Sequence, residues 1–128
     1  MRAARAYGNT DRQTAVMVSN PVGLVILLYE KLLTRLAEAK RAFAVRDVQA
    51  RSQAITKSIE LIDIGLVSSL DHSKGGDIAV RLKAHYEIWI AKLFRANMKA
   101  SEELVSEVEE EVRMIKSAWV ELNKDGRP

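Results

Sequence analysis

The chain has 128 residues, a formal net charge of +3 and a hydrophobic fraction of 48%, with aromatic side chains at only 5%. This length fits one domain with a single core. The absence of cysteine excludes a disulfide framework and thiolate metal sites, and no apolar run reaches the ~18 residues that a membrane span needs. Because residues 1–20 also lack the apolar region of a secretory signal, we expect a cytosolic protein without a membrane span.

The charge alternates in sign along the chain. Residues 21–46 and 72–100 are net positive, whereas residues 47–71 and 101–128 are net negative. This alternation favours neighbouring antiparallel helices of opposite charge. A nucleic-acid binder more often gathers its basic side chains on one face. A basic helical adaptor that binds nucleic acid or another protein helix is therefore only the alternative function.

Residues 1–19 are polar up to Thr14 and apolar over residues 15–18, and Tyr7 is their one aromatic side chain. They form either a frayed terminus or a short segment that folds over apolar surface elsewhere. Our hypothesis is the second of these, an N-terminal capping segment.

The first predicted helix spans residues 20–44, with Asn20 as N-cap and Pro21 in the first turn. Leu24 and Leu27 lie off its apolar stripe, so that the start of the helix is apolar nearly all round. A partner or another part of the chain should cover it. The stripe comprises Val22, Val25, Tyr29, Leu32, Leu36, Ala39 and Phe43.

A second helix is predicted from the N-cap Asp47 to about Leu70. Leu61 and Ile64 lie off its stripe beside Gly65, which either marks a close backbone approach or is simply tolerated. The stripe comprises Val48, Ser52, Ile55, Ile59, Ile62 and Leu66.

A turn over residues 71–76 leads into a third helix that opens at Asp77. Its stripe comprises Ala79, Leu82, Tyr86, Trp89, Leu93 and Ala96, and a second row comprises Val80, Ala84, Glu87, Ala91, Phe94 and Met98, with Ile88 nearby. The second row either receives a partner helix or seals contacts within the protein. Both remain open for Phe94 and Met98, and sealing is favoured for Ala84 and Ala91.

The fourth helix has Ser101 as its N-cap and acidic residues in its first turn. We interpret the acidic side chains at 107 and 109–111 as its solvated far side. The stripe comprises Val105, Val108, Val112, Ile115, Trp119 and Leu122. Together the four patterns predict an all-α, antiparallel up-down-up-down four-helix bundle over residues 20–124, with a disordered tail over residues 125–128.

Enzymatic chemistry finds little support in the sequence. Neither a phosphate-binding glycine loop nor a nucleophile–histidine motif occurs. The two Glu-x-x-His pairs of a di-metal bundle are absent too. The residue three positions before His72 is Ser69, and the residue three positions before His85 is Leu82, so neither is a glutamate. We interpret His85 as a partly buried histidine of the bundle, and we predict a protein that is not an enzyme and has no cofactor.

Apolar surface is what remains unusual. In the predicted bundle, Leu24 and Leu27 lie at the same end as Leu61, Ile64 and Val80. A contiguous apolar group of this kind marks a partner site more often than isolated side chains do. The residues therefore predict a binding module.

The chain resembles the flagellar secretion chaperone family, the cytosolic chaperones of flagellin. The resemblance runs from about Tyr7 to Leu122. It rests on the order and spacing of several short matches: Tyr7 and the apolar stretch before Pro21, Leu28-Tyr29-Glu30, Ser69-Leu70-Asp71, Lys74-Gly75-Gly76, Tyr86 with Leu93, Ala96-Asn97, and Trp119.

The resemblance implies a helical chaperone that binds the disordered C-terminal region of flagellin, prevents premature polymerisation and keeps the subunit competent for type III export. It also implies delivery to the export gate and, in some members, binding of the anti-sigma regulator. The free form is expected to be a monomer or a weak homodimer. The residues expected to contact the partner are Tyr7, Leu24, Leu27, Leu28, Leu61, Ile64, Val80, Ile88, Ala91, Phe94 and Met98.

Overall fold

The computed structural model describes residues 21–125, and this part of the chain is helical with short connections. The predicted capping segment, Tyr7 and residues 126–128 lie outside the described residues. The elements are α1 (Pro21–Ala44), α2 (Val48–Glu60) continuing as a π-helical segment (Leu61–Val67), α3 (His72–Gly75), α4 (Asp77–Lys99) and α5 (Glu102–Asp125). The all-helical class predicted from the stripes is confirmed.

Side-chain caps begin α2 and α5 where the sequence predicted them. The Asp47 carboxylate accepts a hydrogen bond from the Ala50 amide (3.0 Å), and the Ser101 hydroxyl accepts one from the Leu104 amide (3.3 Å). Each cap satisfies a backbone N–H that has no partner within its own helix.

The turn after residue 70 contains more helix than expected. The Asp71 carboxylate accepts hydrogen bonds from the Ser73 and Lys74 amides, both at 3.1 Å, and thereby caps the single turn α3. Gly76 then adopts φ +50° and ψ −123°, a conformation that side-chain-bearing residues rarely adopt. α4 therefore begins directly after α3, at an angle that the glycine permits.

The prediction of one regular helix up to Leu70 is wrong in its second half. α-helical hydrogen bonding ends at Glu60, and Leu61–Val67 is π-helical. Ile62 and Leu66 still reach the core from this segment, whereas Ile64 is turned outward. The apolar period survives because residues four apart share a face in either type of helix.

α5 lies beside both α1 and α4 and runs antiparallel to each of them. In both pairings the number of the α5 residue falls as the number of its partner rises. The side-chain pairs are Glu30–Lys116 (3.5 Å), Lys40–Glu109 (2.9 Å), Trp89–Glu111 (2.7 Å) and Lys92–Glu107 (3.1 Å).

α2 occupies the corresponding position on the other side, also beside α1 and α4. The Arg51 guanidinium lies 5.3 Å from the centre of the Phe43 ring on α1, and its Nε donates a hydrogen bond to Asn97 Oδ1 on α4 (3.2 Å). One arginine therefore ties three helices together at the end of α4, through a cation–π contact and a charge-assisted hydrogen bond.

The core lies where the four stripes converge, and most stripe positions are confirmed as buried. Val22, Val25 and Phe43 are instead half-buried, because α1 faces both α2 and α5 and its buried face widens to include Gly23, Ile26 and Ala42. Val48 and Leu122, at the outer ends of their helices, are exposed. The fully buried large side chains are Trp89, Tyr29, Tyr86, Leu32, Leu36, Ile55, Ile62, Leu66, Leu93, Val105, Val108 and Val112.

Candidate partner-binding surface

The outward face of α4 carries a row of exposed apolar side chains, which we call the α4 row: Val80, Ala84, Ile88, Ala91, Phe94 and Met98. Phe94 is 55% exposed and Met98 77% exposed. The expectation that Ala84 and Ala91 seal contacts within the protein is wrong, because both are exposed. From Val80 to Met98 the row is about 27 Å long at 1.5 Å per residue. An exposed apolar strip of this length is typical of an interaction surface.

A cavity of about 290 Å³ opens at the end of the molecule where α1 begins. Its lining is mostly apolar, and Ile78, 65% exposed at the start of α4, lies at its mouth. The main apolar residues of the lining are Val22, Val25, Leu70, Ile78, Leu82, Tyr86 and Trp119. A cavity of this size accommodates one or two large apolar side chains of another segment.

Val22, Val25 and Trp119 lie on the predicted core stripes, and their place in this cavity was not predicted. They are half-buried because the stripes of α1, α4 and α5 end here without closing on one another. The core stripes of α1, α4 and α5 all end at this pole of the molecule. That coincidence is the sequence signal that could have indicated a site for another segment.

An aromatic cluster forms the floor beneath the cavity. The hydroxyl groups of Tyr29 and Tyr86 are 2.8 Å apart in a buried hydrogen bond, and Trp89 packs edge-on against Tyr29 at 6.1 Å between ring centres. Burial raises the pKa of both tyrosines, and for Tyr86 the neighbouring Tyr29 adds to the rise. Within residues 21–125 the buried Trp119 indole N–H makes no hydrogen bond of standard geometry, but it lies near the Tyr29 hydroxyl and acts to lower the pKa of that group.

The predicted contact residues at this end of the molecule separate into three groups. Leu24 and Leu27 are half-buried, while Ile64 is 68% exposed. Leu61 was expected to lie off the core but packs against it, as does Leu28. The π-helical geometry that begins at Leu61 separates it from Ile64, because the two side chains no longer leave the helix in the α-helical pattern.

Gly65 lies beneath Leu28, but the approach is not close enough to require glycine. A Cβ at this position would lie 3.5 and 3.6 Å from the two Leu28 methyl carbons, which is ordinary contact. Of the two readings left open for Gly65, a tolerated glycine is the one that fits.

Two glutamates of the acidic run were wrongly assigned to the solvated face of α5. Glu109 is only 7% exposed and pairs with Lys40 (2.9 Å) and Arg113 (3.4 Å). Glu111 is half-buried and accepts the hydrogen bond of the Trp89 indole N–H. Each carboxylate points inward because a buried or half-buried hydrogen-bond donor lies opposite it on a neighbouring helix.

His85 is exposed, in contrast to the partly buried position predicted for it. Its Nδ1 lies 3.6 Å from Glu111, and its ring stands beside Trp89 at 6.5 Å between centres. The residue lies at the α5 edge of α4, where the helix surface turns towards solvent.

A metal site has no visible basis in the part of the chain that the structure describes. Over residues 21–125 no three histidine, aspartate or glutamate side chains are placed to hold a metal ion. Among the same residues no helix combines the length and apolar character that crossing a membrane demands.

Among residues 21–125, an apolar cavity at one end of the helical domain and an exposed apolar strip along one helix define a protein-interaction module. The flagellar protein FliS family model matches residues 3–126, and the chain belongs to this family. The family consists of chaperones rather than enzymes, and its members have a protein partner in flagellar export.

Several flagellar secretion chaperones are similar to the chain over nearly its full length. FliS of Salmonella typhimurium is 33% identical over 119 residues, covering 93% of this chain and 88% of that protein. FliSB of Pseudomonas aeruginosa is 34% identical over 119 residues, covering 93% and 94%. FliS of Escherichia coli is 29% identical over 120 residues, covering 94% and 88%.

Proposed function

We propose that this protein is a cytosolic export chaperone that binds the disordered C-terminal region of flagellin, prevents its premature polymerisation and keeps it competent for type III secretion. The observation that carries the proposal is the α4 row, an exposed apolar strip on a member of the FliS family. A disordered segment that folds into helices on binding needs long apolar surfaces of this kind. Family membership favours this function over the nucleic-acid adaptor.

The antiparallel up-down-up-down four-helix bundle is part of the same proposal. Its support is that α1 and α4 each lie between α2 and α5, with α5 antiparallel to both. This architecture leaves one side of every helix facing outward, so α4 can carry a second apolar row without weakening the core.

We further propose that the cavity at the start of α1 is a second contact point, occupied in the free protein by residues 1–18. Pro21 and Val22 line the cavity, so the described part of the chain begins at its rim. A flagellin helix would displace this segment from the cavity. The export gate and the anti-sigma regulator are further partners in this proposal, recognised through surfaces that flagellin leaves free.

The test is a calorimetric titration of the protein with the C-terminal segment of its cognate flagellin. Binding is expected at about one to one. The double variant Phe94→Ser/Met98→Ser should bind about ten- to hundredfold more weakly, because two large apolar contacts are lost.

The matched control is Met114→Ser/Leu122→Ser, which removes two equally exposed apolar side chains from α5. The control should bind like the unaltered protein, and circular dichroism should show that both double variants remain helical. Failure of the unaltered protein to bind any flagellin of its source organism would overturn the proposal.

A further inference from the structure

We propose that the α4 row selects an amphipathic helix that carries acidic side chains along one edge of its apolar face. The inference rests on the proposed function in one respect: both use the α4 row as the partner-binding face. It rests on the charges that border the row, and it can be tested without flagellin.

One edge of the row is mainly basic, and its single acidic residue, the exposed Asp77, lies one helical turn before Arg81. Taking Ala91 as the centre of the outward face, Arg81, Arg95 and Lys99 lie about 40–80° round the helix on the side towards α5. All three are exposed, and within the described residues none of them forms an ion pair. We call these three residues the basic edge.

No carboxylate of α5 forms an ion pair with the basic edge, although the exposed Glu103 lies one helical turn before Glu107. Glu107 pairs with Lys92 at 3.1 Å, and Glu111 accepts the Trp89 indole hydrogen bond at 2.7 Å with His85 3.6 Å away. These carboxylates are engaged below the row, so the charges of the basic edge remain available to a partner.

The opposite edge of the row has a different character. Lys83 and Glu87 lie there one helical turn apart, and both are exposed. This edge is therefore charge-balanced, whereas the other carries three positive charges against the one negative charge of Asp77. A docked helix gains electrostatic complementarity when its acidic side chains lie along one edge only, which also fixes its rotation about its own axis.

The same charges disfavour a second copy of the chain docked antiparallel on the row. In an antiparallel pair of copies packed through the α4 row, the basic edge of one copy would face the basic edge of the other. Like charges that meet across an interface oppose association. A partner with an acidic edge is thus the better complement.

The experiment uses three synthetic helical peptides of about 20 residues, long enough to span the row. They share one leucine–alanine face and differ only along one edge, which carries glutamate, glutamine or lysine. The Glu peptide should bind the full chain about tenfold more tightly than the Gln peptide, since three exposed charge pairs each contribute modestly. The Lys peptide should bind more weakly than both.

Salt and charge reversal give the specific readouts. Raising the ionic strength should lower the affinity of the Glu peptide towards that of the Gln peptide. The affinity of the Gln peptide should stay nearly unchanged. In the triple variant Arg81→Glu/Arg95→Glu/Lys99→Glu the order of the Glu and Lys peptides should reverse. The control triple variant Lys31→Glu/Arg41→Glu/Lys57→Glu, with the same change in net charge on exposed positions of α1 and α2, should keep the original order.

Four outcomes would overturn the inference: equal affinity for the Glu and Gln peptides, an equal effect of both triple variants, no binding of any peptide, or a dimer of the unaltered protein that Phe94→Ser dissociates. Its failure is distinguishable from failure of the proposed function. Flagellin binding that is unaffected by reversal of the basic edge overturns the inference alone. Selection among the peptides without flagellin binding overturns the proposed function alone.

Discussion

The buried hydrogen bond between Tyr29 and Tyr86 couples the stability of this protein to alkaline pH. Both hydroxyls sit in the core, and burial raises the pKa of each above its ordinary value of 10.0. The unfolded chain therefore loses these protons as the pH passes about 10, while the folded chain retains them. Stability that is fully present below pH 10 should decline above it, by up to about 1.4 kcal/mol per pH unit for each tyrosine that stays protonated in the folded chain.

Urea unfolding followed by circular dichroism between pH 8 and 11.5 measures this decline. The double variant Tyr29→Phe/Tyr86→Phe is the control, because it keeps the rings and removes both titrating groups. It should be less sensitive to pH above 10 than the unaltered chain, whatever its stability at pH 8. Parallel pH profiles for the two proteins would contradict the assignment.

For single residues, the sequence indicates whether a side chain lies in the core but not which distant side chain it contacts. Tyr29 and Tyr86 were both predicted on core stripes, yet nothing in their periodicity indicated that the two hydroxyls meet across the core. Glu109 shows the reverse case: its place in an acidic run suggested solvent, and only the position of Lys40 on a different helix makes it a buried partner. Pairings between distant residues depend on helix register, which spacing within one helix does not determine.

Among the helical elements, α4 ends in a conformation that its sequence does not favour. Ala100 adopts φ 51° and ψ 49°, in the left-handed region, and the Ser101 amide closes the helix on the Ala96 carbonyl (2.9 Å). Glycine is the usual residue at this position of a Schellman-type cap because it has no Cβ. Replacing Ala100 with glycine should therefore raise the free energy of unfolding by about 1 kcal/mol.

The matched control is Ala118→Gly, an exposed position within α5. There the same substitution should lower the free energy of unfolding by about 1 kcal/mol, because glycine is unfavourable in a helix interior. Denaturant unfolding of the two variants beside the unaltered chain measures both shifts. Destabilisation by Ala100→Gly would show that the left-handed cap is not strained.

Helix existence was far more predictable than helix type. The start of α2 at its Asp47 cap, the opening of α4 at Asp77 and the start of α5 after Ser101 all follow from the sequence. The π-helical stretch after Glu60 does not, because the same apolar residues satisfy the core in either geometry. The choice between the two depends on packing against α1 and α4, which both contact this segment.

At the scale of the whole molecule, surplus apolar surface could be predicted but its distribution could not. The sequence left open whether the second row of α4 faces a partner or seals contacts within the protein, and the structure leaves Ala84, Ala91, Phe94 and Met98 exposed. The cavity arises where α1, α4 and α5 fail to close at one pole, which depends on helix lengths and crossing geometry. These quantities belong to the assembly of helices and are not encoded in any single stripe.

The cavity leads to a prediction about residues 1–18, whose positions lie outside the described part of the chain. If they cover it in the free protein, deleting them should increase binding of a hydrophobic dye and promote self-association. Deletion should also tighten flagellin binding, since a partner no longer has to displace a competing segment. Dye fluorescence, light scattering and calorimetry on the deleted and full chains measure the three effects.

Two substitution pairs determine whether apolar cover is the cause. Val16→Ser/Val18→Ser should reproduce the deletion, because a buried valine contributes about 1.5–3 kcal/mol that serine does not. Gln13→Ser/Thr14→Ser changes two neighbouring polar residues and should have no effect. Replacing Leu27 and Ile64 with serine should weaken flagellin binding and leave the helical content intact, since neither residue is part of the buried core. If the deletion changes neither dye binding nor association, residues 1–18 are only a terminal extension, and the cavity stays open in the free protein.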